Sequence, residues 1–281
     1  MDGILLVNKE MNMTSFDVVA KCRKILHEKR IGHTGTLDPN ATGLLIILVG
    51  KYTKLLPYCV SNKKRYHAEF SFGKRSTTED IWGDIVEEKA YQIHTKEELT
   101  KVAETMLGKS IQIPPMYSAI KVNGKKLYEY ARSGIEVERP QREIQVDEFK
   151  VEQIGDNLYS LDVVVSSGTY VRTLIQDYAE KLNELAVMTA LERISIEGLS
   201  VENAYTLEQI EKGEFSFASA IDVIDPEYEI IDYEDEFTIR CGKKIKLNAS
   251  KDNVILKKDA MLLAAYSKKD DGYYYAQRGL F

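Results

Sequence analysis

The sequence predicts an α+β protein with a mixed, mostly antiparallel central sheet flanked by helices, and a small β-rich domain at the C-terminus. Three observations support this class. Strand-like and helix-like segments follow one another without the regular strand–helix rhythm of a doubly wound fold. Residues 66–73 alternate strictly between two faces, as expected of a strand with one buried face. After residue 236 the chain consists of short strand-like runs.

The N-terminal part of the chain is expected to form two strands with a helix between them. Residues 3–8 and 43–50 are apolar runs typical of central strands. Thr14 or Ser15 can cap a helix, because a side-chain hydroxyl accepts a hydrogen bond from the free amides of the first turn. The expected inward face of this helix carries Phe16, Val19, Cys22, Ile25 and Leu26.

The middle of the chain is predicted to mix strands and helices. A capping box at residues 95–98 opens a helix that Gly108 ends. The expected inward residues of that helix are Leu99, Val102, Ala103 and Met106. The other predicted elements are strands at 117–122, 142–153 and 158–167, and helices at 127–132 and 169–183.

An acidic stretch marks a predicted domain boundary. Residues 225–236 are rich in Asp and Glu, and they indicate a linker between a domain of residues 1–224 and a small domain of residues 225–281. The strands expected in the small domain are 245–247, 254–256, 261–266 and 273–277.

The composition is that of a soluble globular protein, with 44% apolar and 29% charged residues in a chain of 281. No apolar run approaches the roughly 20 residues that span a bilayer, and the first residues predict a strand rather than a signal peptide. The three cysteines and four histidines show no metal-ligand spacing, so no metal site is expected. The predicted location is therefore the cytoplasm.

The distribution of charge favours a polyanionic partner in spite of a net charge of −6. Residues 1–75 carry a net charge of +7, residues 76–225 a net charge of −13, and residues 226–281 are neutral as a whole. A basic region on an acidic body can bind and steer nucleic acid. Charge alone leaves open that the asymmetry is unrelated to any ligand.

The most unusual segment is residues 32–44, Gly-His-Thr-Gly-Thr-Leu-Asp-Pro-Asn-Ala-Thr-Gly-Leu. Its glycines and threonines predict irregular backbone, and Pro39 pushes Asp38 toward an extended conformation. This pattern indicates a catalytic loop that presents one acid. Two alternatives stay open, an ordinary turn and a cradle of backbone amides for phosphate. The segment lacks the ending of a P-loop and the spacing of a dinucleotide fingerprint, which disfavours nucleotide binding.

Three other segments share this irregular character. Residues 61–66 set three cations before an aromatic side chain, and residues 112–121 hold a Pro-Pro pair after a helix. Residues 166–174 form a strand end, a turn and a helix start. Taken singly, each segment is explained by an ordinary strand end, loop or helix cap.

Together these segments resemble the TruB family of tRNA pseudouridine synthases. The loop around Asp38 is similar to the family signature G-H-x-G-x-L-D-P-x-A-T-G. Four more blocks follow in the family's order: Lys64–Tyr66 for K-R-Y, Pro114–Lys121 for P-P-x-Y-S-A-x-K, Tyr128–Arg132 for Y-x-x-A-R, and Ser167–Leu174 for S-G-T-Y-x-R-T/S-L. The resemblance covers residues 3–222.

Two blocks depart from the family pattern. The first motif, usually N-K-P-x-G-x-T-S, has Glu10 in place of proline and Asn12 in place of glycine. The late block L-R-R-T-x-V-G-x-F is represented by residues 191–199, Leu-Glu-Arg-Ile-Ser-Ile-Glu-Gly-Leu. The tail is similar to the shortened, PUA-like C-terminal domains of bacterial members, which implies that it binds RNA.

The resemblance implies the pseudouridine-synthase fold and the conversion of uridine-55 to pseudouridine in the T arm of tRNA. The implied reaction flips the base out and rearranges its glycosidic bond with one catalytic aspartate, Asp38, which must be ionised. Tyr66 is implied to stack on the flipped uracil and Arg172 to favour the ionised aspartate. Tyr170 is implied to line the pocket and to aid removal of the proton from C5.

The resemblance also implies residues that support the site or contact RNA. His33 is implied to hold the rearranged RNA loop and Lys9 to support the active site, and both are grouped with Lys64, Arg65 and Lys121 as RNA-binding residues. The implied partner is the T stem-loop of tRNA, recognised by its shape and its phosphates. The implied protein is a monomer without cofactor, metal or membrane contact.

Three other functions are compatible with parts of the sequence. An RNA-folding chaperone would use the same pocket only to bind and open tRNA. An enzyme that modifies rRNA within a guide-RNA particle would share the fold, although this chain lacks long basic extensions for docking. A phosphate-binding metabolic enzyme built on the Gly-Thr loop would bind mononucleotides and not tRNA.

Overall fold

The computed structural model describes residues 1–60 and 62–281, and it confirms an α+β protein with a mostly antiparallel central sheet and a β-rich C-terminal part. Ser61, the first residue of the predicted cationic motif, lies outside the described residues. The α-helices are α1 (Ser15–Ile25), α2 (Lys96–Glu104), α3 (Leu127–Arg132), α4 (Val171–Lys181), α5 (Leu207–Glu211) and α6 (Glu236–Arg240).

The strands are β1 (Gly3–Lys9), β2 (Ile31–His33), β3 (Thr42–Val49), β4 (Lys63–Phe72), β5 (Lys74–Ser76), β6 (Ile85–Glu88), β7 (Gly108–Gln112), β8 (Lys121–Val122), β9 (Lys125–Lys126), β10 (Arg142–Gly155), β11 (Leu158–Ser166), β12 (Ala186–Ile196), β13 (Leu199–Ser200), β14 (Glu229–Asp232), β15 (Asn253–Lys258), β16 (Met261–Lys268) and β17 (Tyr274–Gly279). Short 3₁₀ helices cover Gly50–Tyr58, Val201–Asn203 and Ile221–Val223.

The described chain divides into two compact units. The first unit combines residues 1–60 with residues 198–281, and the second comprises residues 62–197. The predicted division into residues 1–224 and 225–281 stays a prediction.

In the first unit, β3 pairs antiparallel with both β1 and β2. Helix α1 begins after Thr14, whose hydroxyl accepts a hydrogen bond from the amide of Asp17 while the Asp17 carboxylate accepts one from the amide of Thr14. This start sets the inward face at i, i+3, i+4 and i+7, which buries Val18 and leaves Phe16 61% exposed. The prediction that Phe16 faces inward is therefore wrong.

One hydrophobic core of the first unit packs on a four-stranded sheet in the order β14-β15-β16-β17. Strand β14 runs parallel to β15, and the other pairs are antiparallel. The acidic stretch predicted as a linker forms β14 and the start of α6, which Asp235 caps by accepting from the amide of Thr238. The strand expected at 245–247 is wrong, because only Ile245 makes a bridge, to Tyr274.

The second unit is built on an antiparallel sheet in the order β12-β4-β11-β10-β7. The predicted alternation of β4 is confirmed, since Tyr66, Ala68, Phe70 and Phe72 are all buried. Tyr178 of α4 packs edge-on against Phe70, with 6.1 Å between ring centroids. Helix α4 therefore covers the sheet face on which Tyr66 lies.

Three features of the second unit differ from the sequence-based prediction. The strand predicted at 117–122 is reduced to β8, because the Pro-Pro segment before it forms bends. Gly108, expected to end α2, has a φ of 95° and begins β7, while α2 ends four residues earlier, at Glu104. Strand β12 was not predicted, although it pairs antiparallel with β4 from Ala186 to Ile196.

Candidate active site

Asp38 lies in the loop between β2 and β3 in the first unit. The amide of Thr34 donates to the carbonyl of Ile46 at 3.1 Å, and this bond closes the hairpin below the loop. Within the loop, the Asp38 carbonyl accepts from the amide of Ala41 at 3.1 Å, and Leu37 is buried beneath it. Asp38 itself is half-buried. The loop is thus a compact turn with one acid at its bend.

Both chain neighbours of Asp38 are held by side chains from the β1–α1 segment. The hydroxyl of Ser15 accepts from the Leu37 amide at 2.9 Å and donates to the Leu37 carbonyl at 3.2 Å. On the other side, the Lys9 ammonium donates to the Pro39 carbonyl at 3.0 Å. These contacts restrict the direction in which the Asp38 side chain leaves the backbone.

Lys9 is completely buried, and its three ammonium donors are matched by backbone carbonyls. The acceptors are Glu10 at 2.9 Å, Met13 at 2.7 Å and Pro39 at 3.0 Å. A buried ammonium is tolerated only when it is hydrogen-bonded in this way. Lys9 therefore holds the residue that follows Asp38 from a position that solvent does not reach. Its grouping with the RNA-binding residues stays a prediction.

The presence of Asn12 where the first motif usually has glycine is explained by its backbone conformation and by the contacts of Lys9. Asn12 has a φ of 63°, in the left-handed region that favours glycine and that asparagine enters more readily than most residues. This turn brings the carbonyls of Glu10 and Met13 to the Lys9 ammonium. Asn12 thus adopts a backbone conformation that suits the glycine usual at this position.

In the second unit, β4 carries Lys64 and Tyr66 on one face and Arg65 on the other, as its period of two dictates. Tyr66 is 8% exposed, and its backbone lies between Val163 of β11 and Arg193 of β12. Arg65 reaches Glu148 at 2.5 Å. The structure therefore brings Lys64 and Tyr66 together and separates Arg65 from them.

The Lys64 ammonium donates to the Ser167 hydroxyl at 3.0 Å. Burial, and then repulsion from the nearby Arg193, lower the pKa of Lys64 to about 8, while Glu197 acts in the opposite direction. A lysine with this pKa is charged below pH 8 and can bind a phosphate there. Because Ser167 belongs to the predicted S-G-T-Y motif, this bond links two predicted motifs.

Tyr170 and Arg172 stand at the start of α4 and are held by the Pro-Pro segment. Gln112, which is 2% exposed, accepts from the Tyr170 amide at 2.8 Å and donates to the Tyr170 carbonyl at 3.1 Å. The Arg172 guanidinium, 3% exposed, donates to the carbonyls of Tyr117 at 3.1 Å and Thr78 at 2.5 Å. The guanidinium is thereby fixed in one orientation.

A half-buried acid near this arginine, Glu79, was missed from the sequence. Glu79 has a φ of 66° and accepts a hydrogen bond from the Thr173 hydroxyl at 2.7 Å. Burial raises the pKa of Glu79, against the opposing influence of that hydroxyl and of Arg172. No short motif signals this residue, because its partners lie far along the chain. Ser15 and Gln112 belong to sequence motifs described above, but the sequence did not predict their hydrogen-bond partners, Leu37 and Tyr170.

The remaining predicted residues lie at different places. His33 ends β2 in the first unit and is half-buried. Lys121 is exposed on the β8–β9 hairpin of the second unit. Across residues 1–60 and 62–281, no three or more His, Cys, Asp or Glu side chains are grouped so as to hold a metal ion. In the same ranges, no helix has the length and apolar character needed to cross a membrane.

Comparisons with known proteins identify relatives along the whole chain. The family model "TruB family pseudouridylate synthase (N terminal domain)" matches residues 23–171. Proteins named tRNA pseudouridine synthase B are 38% identical in Lactobacillus acidophilus, covering 97% of this chain and 96% of the relative, and 40% identical in Streptococcus pyogenes, covering 97% of each. The corresponding protein of Oenococcus oeni is 45% identical, covering 74% of this chain and 73% of the relative.

Solved structures share the fold at lower identity. A chain of a Cbf5-Nop10-Gar1 complex superimposes with a TM-score of 0.72 at 20% identity, covering 99% of this chain and 85% of that one. A chain from an H/ACA RNP bound to a substrate RNA gives a TM-score of 0.69 at 18% identity, with coverages of 99% and 85%. These likenesses support the pseudouridine-synthase fold.

Proposed function

Because the chain belongs to the TruB family of pseudouridine synthases, we propose that it converts uridine-55 in the T arm of tRNAs to pseudouridine, with Asp38 as its single catalytic aspartate. Membership makes the protein an isomerase. The observation that carries the choice of Asp38 is the anchoring of both its neighbours, Leu37 by the Ser15 hydroxyl and Pro39 by the Lys9 ammonium.

The proposed reaction needs one carboxylate rather than two. Uracil leaves C1′ of the ribose, turns and rejoins through C5, so positive charge develops on the sugar, and a carboxylate beside it lowers the barrier. A glycosidase also needs a second carboxyl group and a water molecule, whereas here the detached base stays in the pocket. Water must be excluded, because hydrolysis would leave an abasic site. Asp38 supplies the carboxylate in its ionised form.

Tyr66 is the proposed platform for the flipped uracil. Stacking of a base on an aromatic ring is worth roughly 1–3 kcal/mol, which offsets part of the few kcal/mol needed to extrude the base. The position of Tyr66 near the start of β4, buried on the helix-covered face of the sheet, supports this role. A rigid strand holds the ring in place before the base arrives.

Arg172 and Tyr170 are proposed to complete the site. The carbonyls of Thr78 and Tyr117 fix the Arg172 guanidinium in one orientation, which supports a catalytic role for its charge. Tyr170 would line the pocket and help remove the proton from C5. The two hydrogen bonds from Gln112 to the Tyr170 backbone support a fixed position for that residue.

The proposed RNA contacts outside the pocket are electrostatic. His33, Lys64, Arg65 and Lys121 are assigned to the T stem-loop, with the Arg65–Glu148 ion pair required to open when RNA binds. We assign no cofactor to the reaction and propose a cytoplasmic monomer.

The C-terminal β domain is proposed to add a second RNA-binding surface. Lys244 lies over the ring of Tyr273 at 4.4 Å, and Lys243 lies over the ring of Phe237 at 5.6 Å. Phe237 is 70% exposed. Exposed aromatic rings interleaved with lysines are suited to stacked bases and phosphates. This patch supports an RNA-binding role for the residues after 225.

The test is to map pseudouridine in tRNA transcripts incubated with the purified protein. We expect one new pseudouridine, at position 55, in wild-type transcripts, and none in transcripts that carry cytidine there. Modification at another position would contradict the proposed substrate. Binding and refolding of tRNA without any pseudouridine would point to a chaperone, and affinity for mononucleotides alone would point to a phosphate-binding enzyme.

A further inference from the structure

Ser15 makes an unusual pair of contacts just before the proposed catalytic residue. Its side chain is almost fully buried, with 2% of the residue exposed. The one hydroxyl accepts from the Leu37 amide at 2.9 Å and donates to the Leu37 carbonyl at 3.2 Å. A hydroxyl can both donate and accept a hydrogen bond, so this one group bonds to the amide and to the carbonyl of Leu37.

The hydroxyl of Ser15 is not needed to cap α1. That task belongs to Thr14, which exchanges hydrogen bonds with Asp17 at the start of the helix. Ser15 occupies the first helical position, where its own hydroxyl is available for a tertiary contact. The two adjacent residues therefore have separate roles, one within the helix and one toward the loop.

The backbone at Asp38 is consequently restrained at both ends. Leu37 is tied to α1 through Ser15, Pro39 is tied to the end of β1 through Lys9, and the Asp38 carbonyl accepts from Ala41. Both anchors stand on or beside regular elements rather than on the loop itself. A side chain that leaves a backbone fixed in this way has few directions available.

We infer that Ser15 is a positioning residue, which aims the Asp38 carboxylate by fixing the Leu37 peptide against the first turn of α1. This inference rests on the proposed function, because it requires that Asp38 acts on the ribose. Displacement of a reacting group by about 1 Å can lower a rate by about 100-fold. Loss of the Ser15 hydroxyl should thus slow the chemical step while the RNA-binding surface stays intact.

The experiment compares Ser15→Ala and Ser15→Cys with Thr14→Ala. Ser15→Cys keeps the volume of the side chain but replaces the hydroxyl with a weak hydrogen-bonding group. Thr14→Ala is the matched control, because it removes the helix cap next door and leaves the Leu37 contacts in place. For each protein the single-turnover rate of tritium release from 5-tritiated tRNA, the dissociation constant for tRNA and the melting temperature are measured.

We expect both Ser15 variants to lower the single-turnover rate about 10- to 100-fold with an unchanged dissociation constant, and Thr14→Ala to keep the wild-type rate even if its melting temperature falls further. Equal rates in Ser15→Ala, Ser15→Cys and Thr14→Ala would overturn the inference. Asp38→Asn is run beside them. If that variant turns over normally, the proposed function fails as well; if it is inactive while the Ser15 variants are normal, only the inference fails.

Discussion

Replacement of Lys9 by methionine should weaken the first unit and misplace the loop that carries Asp38. The Lys9 ammonium donates to three carbonyls, those of Glu10, Met13 and Pro39, within 3.0 Å, and it is completely buried. Methionine has a similar length and no donor, so all three carbonyls lose a partner. At about 1 kcal/mol for each bond, the expected loss in free energy of unfolding is about 3 kcal/mol.

The matched control for this variant is Lys21→Met, which removes one positive charge from an exposed position on α1. Urea unfolding followed by far-UV circular dichroism measures the shift in midpoint, and tritium release measures activity. We expect a large shift and slow turnover for Lys9→Met, and a midpoint close to wild type for Lys21→Met. The reasoning is refuted if the two variants unfold at the same urea concentration and turn over tRNA equally fast.

Two further predictions concern the second unit. Gln112→Leu removes both hydrogen bonds to the Tyr170 backbone, so it should lower the single-turnover rate about 10-fold or more with little change in tRNA affinity. An unchanged single-turnover rate would contradict a role of Gln112 in fixing Tyr170. Burial raises the pKa of Asp177 from 3.8 to about 6, so the folded state disfavours the charged carboxylate and loses stability as pH rises through 6. Asp177→Asn should therefore raise the free energy of unfolding at pH 7.5 by about 1 kcal/mol after allowance for solvent screening, and should have little effect at pH 4; equal urea midpoints of the variant and the wild type at pH 7.5 would contradict this.

Local patterns in the sequence predicted the parts of the fold that local physics determines. The alternation along β4, the capping box at Thr95 and a helix start at Thr14, one of the two caps predicted, were confirmed, because strand faces and helix starts depend on neighbouring residues. Phe16 was wrongly placed on the inward face of α1, because the buried face of a helix depends on what packs against it; the neighbouring Ser15 is buried instead. Strand β14 was missed because its partner, β15, lies more than 20 residues later.

The resemblance named Asp38, Tyr66, Tyr170 and Arg172 as site residues, which stays a prediction, and Lys9 as a support of the site. The hydrogen bonds through which Lys9 and Ser15 hold the Asp38 loop emerged only from the structure. Ser15 and Lys9 lie more than 20 residues before the peptides they hold, and no spacing rule links such partners. The opposite orientation of Arg65, by contrast, follows from the same alternation that was read along β4.

The central claim is that one ionised carboxylate, that of Asp38, performs the isomerisation. The most direct measurement is tritium release from 5-tritiated uridine-55 by Asp38→Asn at a concentration that saturates the protein with tRNA, beside a binding assay on the same sample. Asparagine is nearly isosteric with aspartate and uncharged, so we predict wild-type affinity for tRNA and no detectable tritium release. Turnover at the wild-type rate by the bound variant would contradict the account.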